Sequence, residues 1–216
     1  MVGTGLSDFC VGVYKSNGGN PTYSNGIVLK GATNIDLNPE KTDDNDFYAD
    51  NAVAETDSGR FKGGSVTLEL GGLEDAAERL IFGLPDPRDE NYGDGKTIKV
   101  TAYGDGANPP YMGIGFVQRI KHNGADAYTP YIIAKVKFEL PDFSMQTSEE
   151  SISWQKQGLE AKMMRDDSPS HEWLLRSAEP LPNKEDAVEW LRYKLGITAA
   201  AEPAEAAKSG EEGTNG

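Results

Sequence analysis

The feature of this 216-residue chain that most limits its fold is a two-residue alternation of apolar and polar side chains through its middle. Val66, Leu68 and Leu70 alternate with Ser65, Thr67 and Glu69, and Ile98, Val100 and Ala102 with Thr97, Lys99 and Thr101. Met112, Ile114 and Phe116 oppose Gly113 and Gly115. The longest run sets Ile132, Ala134, Val136, Phe138 and Leu140 against Tyr131, Ile133, Lys135, Lys137 and Glu139, and Ile152 and Trp154 alternate with Ser151 and Ser153. Successive side chains of a strand point to opposite faces, so this period predicts strands with one buried face, the habit of antiparallel sheets. Further strands are expected at Phe9–Lys15, Ile27–Leu37 and Leu159–Met164. The 25 glycines and 12 prolines suit many short strands joined by tight turns. Positive-φ turn positions are offered by Asn17-Gly18-Gly19-Asn20-Pro21, Asn25-Gly26, Asp94-Gly95, Asp105-Gly106 and Asn123-Gly124.

Two helices interrupt this pattern. Leu73, Ala76, Ala77, Leu80 and Ile81 form one apolar stripe at helical spacing, with Glu74 and Asp75 in the first turn and Gly83 and Pro85 as stop signals. That predicts a helix over 73–82 packed on a sheet face. A second is predicted over 184–195, with Asn183 as N-cap, Glu185 and Asp186 in its first turn, Arg192 and Lys194 in its last, and Gly196 ending it. Residues 198–216 hold no aromatic and almost no large aliphatic side chain, so this tail is expected to be disordered. The organisation expected is a β domain over 1–168, a C-terminal extension over 169–197 and the tail.

The net charge of −14 argues against affinity for nucleic acid, which needs clustered Lys and Arg to displace counterions, but not against proximity to it. No apolar run reaches membrane-spanning length, and the first residues lack the pattern of a signal peptide, so synthesis in a cytoplasm is expected. The single Cys10 excludes an internal disulfide and reads as a small buried hydrophobe. His122 and His171 fall in no metal-ligand spacing. The run Asp43-Asp44-Asn45-Asp46 fails the calcium-loop pattern because Phe47 or Tyr48 takes the third ligand position. Gly113-Ile114-Gly115 lacks the third glycine of a dinucleotide fingerprint, and no pair of carboxylates is singled out by spacing. Catalysis, cofactors and metals have no positive support in the sequence.

Residues 39–60 read as a long acidic loop: Glu40, Asp43, Asp44, Asp46, Asp50, Glu55 and Asp57 are opposed by Lys41. In its middle stand Phe47-Tyr48 and then Ala52-Val53-Ala54, which bare solvent would not favour unless something covers them. A loop of this length in a compact domain implies a use, and this one reads as a segment completed by another chain.

The string from Phe47 to Thr56, the Gly63-Gly64 strand and the following helix resemble the major tail proteins of long-tailed (siphovirus-type) bacteriophages and prophages. The matching positions are Tyr48, Ala49, Asp50, Asn51 and Glu55, then Gly63, Gly64, Val66, Thr67 and Leu68. The Phe9–Tyr14 strand, Tyr23 in a turn and Ile27–Leu37 resemble the family's opening, so the resemblance covers residues 5–165. It implies a mainly β fold, an antiparallel sandwich or half-barrel with one flanking helix. It further implies a structural, non-enzymatic virion protein, assembled in the host cytoplasm into hexameric rings that stack as a tail tube. DNA would pass through the lumen without specific binding, and tape-measure and tail-tip or terminator proteins would be partners. Phe47, Tyr48, Ala49, Asp50, Asn51, Val53 and Glu55 are the candidate inter-subunit assembly residues. A terminator or connector ring of the same fold, and a carbohydrate-binding β-sandwich, are the alternatives.

Overall fold

The computed structural model describes residues 2–43, 45–49, 52–57, 59–122, 124–141 and 157–198. The expected strand at Ile152 and Trp154, and the tail beyond Thr198, lie outside the described residues. In chain order the elements are β1 (Val2–Asn17), β2 (Asn20–Val28), β3 (Ala32–Lys41), β4 (Asn45–Ala49), β5 (Ala52–Asp57), β6 (Phe61–Leu70), α1 (Asp75–Phe82), β7 (Arg88–Asn91), β8 (Thr97–Val100), β9 (Tyr111–His122), β10 (Ala125–Phe138), β11 (Gln157–Met164), β12 (Leu174–Arg176) and α2 (Lys184–Leu195).

The protein is mainly β, as the alternation requires. One antiparallel sheet runs in the order β2-β1-β9-β10-β11-β6-β3, with β12 added to β10. It curls into a half-barrel, bringing β3 alongside β1. Val66, Leu68 and Leu70 of β6 and Leu159, Ala161 and Met163 of β11 face Phe9 and Val11 of β1 and Met112, Ile114 and Phe116 of β9 across one core. Ala77, Ile81 and Phe82 of α1 join that core. Ala76, expected in the apolar stripe, is exposed, because the helix starts at Asp75 after an extended Glu74 and its buried side is rotated towards Phe82. Gly83 ends it in the left-handed conformation, φ 61°.

Several expectations are corrected by packing. The span Ile27–Leu37 is two strands, broken at Gly31, whose φ is 72°. Tyr23 lies within β2 rather than in a turn, its hydroxyl donating to the Ala134 carbonyl at 2.7 Å. Asn25-Gly26 is also inside β2: Val11 pairs with Ile27 and Val13 with Ser24, so these two residues bulge opposite Gly12, with Asn25 at φ 52°. In β8, Ile98 is 53% exposed, since β7 and β8 pair only with each other.

The one-buried-face expectation fails for β9 and β10. Ile132 and Ile133 are adjacent and both fully buried, because α2 covers the outer face of this part of the sheet. Ala187, Leu191 and Leu195 of α2 pack on Cys10, Val117 and Ile132. The helix lies so close because the strands beneath it are bare: a Cβ at Gly12 would stand 2.5 Å from the Leu195 carbonyl oxygen, and one at Gly115 would stand 2.7 Å from Leu195 Cδ1. Gly26 N–H, in turn, donates to Gly196 O at 3.1 Å. A further shift between Ile133 and Val136 inserts one extra residue in β10, so Ile133 and Val136, expected on opposite faces, share the inner core. The segment before α2 is equally integrated, with Trp173 stacked on Phe61 at 4.8 Å and 8°.

Candidate assembly surface

The acidic segment expected to be an irregular loop is built from strands. β3 runs on to Lys41 in pairing with β6, and Thr42 and Arg60 then close the base: Thr42 N–H donates to Arg60 O at 2.8 Å, and Arg60 N–H to Thr42 Oγ1 at 2.9 Å. Beyond this clamp β4 and β5 pair antiparallel with each other and not with the main sheet, Asn45 opposite Asp57, Phe47 opposite Glu55 and Tyr48 opposite Val53. Neither Asn45–Ala49 nor Ala52–Asp57 carries the apolar–polar alternation that marks a strand, and the Asp run beside them reads as turn chemistry. Of the candidate assembly residues, Phe47, Tyr48, Ala49, Val53 and Glu55 thus lie on one hairpin arm, while Asp50 and Asn51 fall outside the described residues.

A second surface is the outer face of β10, β11, β6 and β3, which no helix covers among the described residues. Registers place its side chains in rows. Tyr111, Lys137, Lys162, Ser65 and Asn38 form one row. Glu139, Glu160, Thr67 and Asp36 form the next, and Glu69 and Asn34 lie beyond. The face is polar throughout and carries more carboxylates than amines. Lys162 Nζ bridges the first two rows through Glu139 at 3.2 Å.

Between this face and α2 lies a cluster of cations and rings. Lys135 Nζ donates to both Asp167 oxygens at 2.9 Å and stands 5.0 Å over the Tyr14 ring and 4.8 Å from the Tyr111 ring centre. Tyr14 OH donates to Asp167 Oδ2 and accepts from Asp167 N–H, both at 2.9 Å. The bonds from Lys135 and then Tyr14 hold the Asp167 carboxyl below its ordinary value, and burial raises the Tyr14 hydroxyl.

The adjoining turn contains Asp166, Ser168, Ser170, His171 and Glu172, types that can make a hydrolytic triad. Their bonding does not form one. Ser168 Oγ donates to the buried Asp166 carboxylate at 2.6 Å, and Ser170 Oγ to Glu172 at 3.0 Å. His171 Nδ1 lies 3.4 Å from the Asp166 backbone oxygen. These bonds brace a turn in which His171 takes φ 54°. Among the described residues no group of three or more His, Cys, Asp or Glu could hold a metal ion, and no helix is long and apolar enough to cross a membrane. Cys10 is 3% exposed under α2, and burial pushes its thiol up to about 12. His122 ends β9, exposed.

No protein-family model matches the chain, and no curated protein matches it. The lysine–tyrosine cluster escaped sequence reasoning because Tyr14, Tyr111, Lys135 and Asp167 are far apart in the chain. Only the outward alternation of Lys135 and Lys137 signalled it.

Proposed function

We propose that this chain is a self-assembling structural subunit, built to form rings that stack into the tail tube of a long-tailed bacteriophage. The observation that carries this reading is the arm. A two-stranded hairpin has little stability of its own, and β4–β5 continues outward from the Thr42–Arg60 clamp without joining the main sheet. Such an element is accounted for when a neighbouring copy covers it, as its Phe-Tyr pair and Ala-Val-Ala run also suggest. The uncovered outer face supports the same reading. A polar, predominantly acidic wall turned towards the lumen would repel the phosphate backbone and let DNA pass without sticking. In this reading the subunit is a virion component made in the host cytoplasm, with tape-measure and tail-end proteins as its other partners.

Negative-stain microscopy of the purified full chain tests the proposal: tubes or stacked rings are expected. Single rings under all conditions would favour a terminator or connector role, and monomers at every concentration would sink the assembly reading. Replacing Phe47 and Tyr48 together by Ser should leave the circular dichroism spectrum unchanged and block polymerisation. Unimpaired tubes from that variant would remove the arm from the mechanism.

A further inference from the structure

We infer that the β7–β8 hairpin of one copy docks by Ile98 and Tyr92 in the groove between β2 and α1 of a second copy of this chain. This rests on the self-assembly reading above and adds to it a contact made away from the arm. Like β4–β5, the β7–β8 hairpin pairs with no other strand among the described residues, so it has little stability alone. Its two faces differ. On one, Asp89 and Lys99 are paired at 3.1 Å and the Thr97 hydroxyl donates to Asn91 Oδ1 at 3.0 Å, so this face is polar and satisfied within the hairpin. The other carries Ile98, 53% exposed, with Val100 beside it, and Tyr92, 61% exposed, continues it towards the turn. The charges on that face, Arg88 and Glu90, bond each other at 2.7 Å. What it offers a partner is apolar.

The groove matches it. Its volume is about 510 Å³, its lining includes Tyr23, Ile27, Ala76, Leu80, Gly196 and Thr198, and none of the described residues that line it is charged. Ala76, left out of the core by the rotation of α1, and the half-buried Ile27 and Leu80 give it apolar walls. Copies of net charge −14 repel one another, so contact is favoured where neither side brings an excess of charge. Residues 88–100 set Arg88, Lys96 and Lys99 against Asp89, Glu90 and Asp94, a net charge of zero. A neutral hairpin in an uncharged groove buries apolar area without opposing carboxylates. No residue of either surface belongs to β10, β11, β6 or β3, so the acidic sheet face stays free for the lumen.

The two surfaces are held on opposite sides of α1. Thr101 Oγ1 donates to Asp75 Oδ1 at 2.8 Å and Tyr103 OH to Glu78 Oε1 at 2.6 Å, which fixes the stem of the hairpin on that side of the helix. At 3.6 residues per turn, Ala76 and Leu80 point about 150° away from Asp75 and Glu78. Each copy can therefore give a hairpin on one side and take one on the other. Head-to-tail contacts between unlike surfaces of this kind close into rings when the rotation allows.

The test reads the lowest concentration at which the full chain forms assemblies that pellet, in variants that keep the thermal transition. Ile98→Asp should raise it about tenfold or more, because it buries an unpaired charge in the groove. Thr97→Asp, the same charge on the satisfied face, should leave it within about threefold. Ala76→Lys should also raise it, and Ile98→Asp with Ala76→Lys should return it to within about threefold of the unaltered protein, since the two charges then meet. Unchanged assembly by Ile98→Asp, an equal loss with Thr97→Asp, or no rescue in the combined variant overturns the inference while leaving the tube reading standing. Loss with Ala76→Lys but not with Ile98→Asp assigns the groove to another segment, the arm or residues 199–216, and overturns it equally. If Ile98→Asp loses its thermal transition, Ile98→Ser takes its place, and an unchanged pelleting concentration for that variant has the same force. An unaltered chain that never assembles removes the proposed function and this inference together.

Discussion

Substituting Gly12 by Ala tests whether the C-terminal helix is part of the core. The added Cβ would stand 2.5 Å from the Leu195 carbonyl oxygen and 3.2 Å from both its carbonyl carbon and its Cβ. Two of these atoms belong to backbone at the end of α2, where Gly196 caps the helix and Gly26 N–H bonds the Gly196 carbonyl, so no side-chain rotation relieves the contact. Overpacking of this kind costs about 1–3 kcal/mol. Gly→Ala also stiffens the unfolded chain, stabilising by about 0.4–1 kcal/mol where the native backbone allows it. Gly5→Ala isolates that term: Gly5 lies on the same strand, exposed, and its Cβ would meet nothing within 4 Å. At about 2–4 °C per kcal/mol for a chain of this size, Gly12→Ala should melt about 2–12 °C below Gly5→Ala. Scanning calorimetry of the two variants at equal concentration decides it. Equal melting temperatures would show that α2 does not rest on β1 as closely as described, and the helix would then be an appendage rather than part of the core.

Two further outcomes follow from buried and charged groups. Cys10, shielded by α2 and with its thiol raised to about 12, should stay unlabelled by a thiol reagent at pH 8 in the native state and react fully in denaturant; rapid native labelling would contradict the burial. Asp167 has its folded-state carboxyl lowered from an ordinary 3.8, so its contribution is present above that value and is lost as pH falls below it. Asp167→Asn should therefore cost up to about 1 kcal/mol at pH 7, the partly exposed pair being screened, and the difference from the unaltered protein should shrink in acid, with urea midpoints at pH 7 and pH 3 as the measure.

The arm shows why part of the candidate assembly surface was hidden. Its composition announced a segment in need of cover, yet the Asp run suggested an irregular loop, and only pairing of residues 45–49 with 52–57 turned it into a hairpin. The lysine–tyrosine patch was less visible still. Tyr111 and Lys137 meet through the β9–β10 register, Lys162 joins through β10–β11, and Tyr14 and Asp167 arrive from opposite ends of the chain.

By itself the sequence determined the antiparallel β character, both helix positions to within two residues and the capping glycines Gly83 and Gly196, because period, cap chemistry and the left-handed preference of glycine act within a few residues. It did not determine which strands would be buried on both sides. Gly113 and Gly115 looked like a polar or empty face, and became the bed on which Leu195 rests only once α2 was laid across them. Nor could the period register the extra residue between Ile133 and Val136, which moves one side chain across the sheet without altering the alternation on either side. Tertiary structure decided these points, since they depend on close approach between segments remote in the chain, a distance that no local pattern encodes.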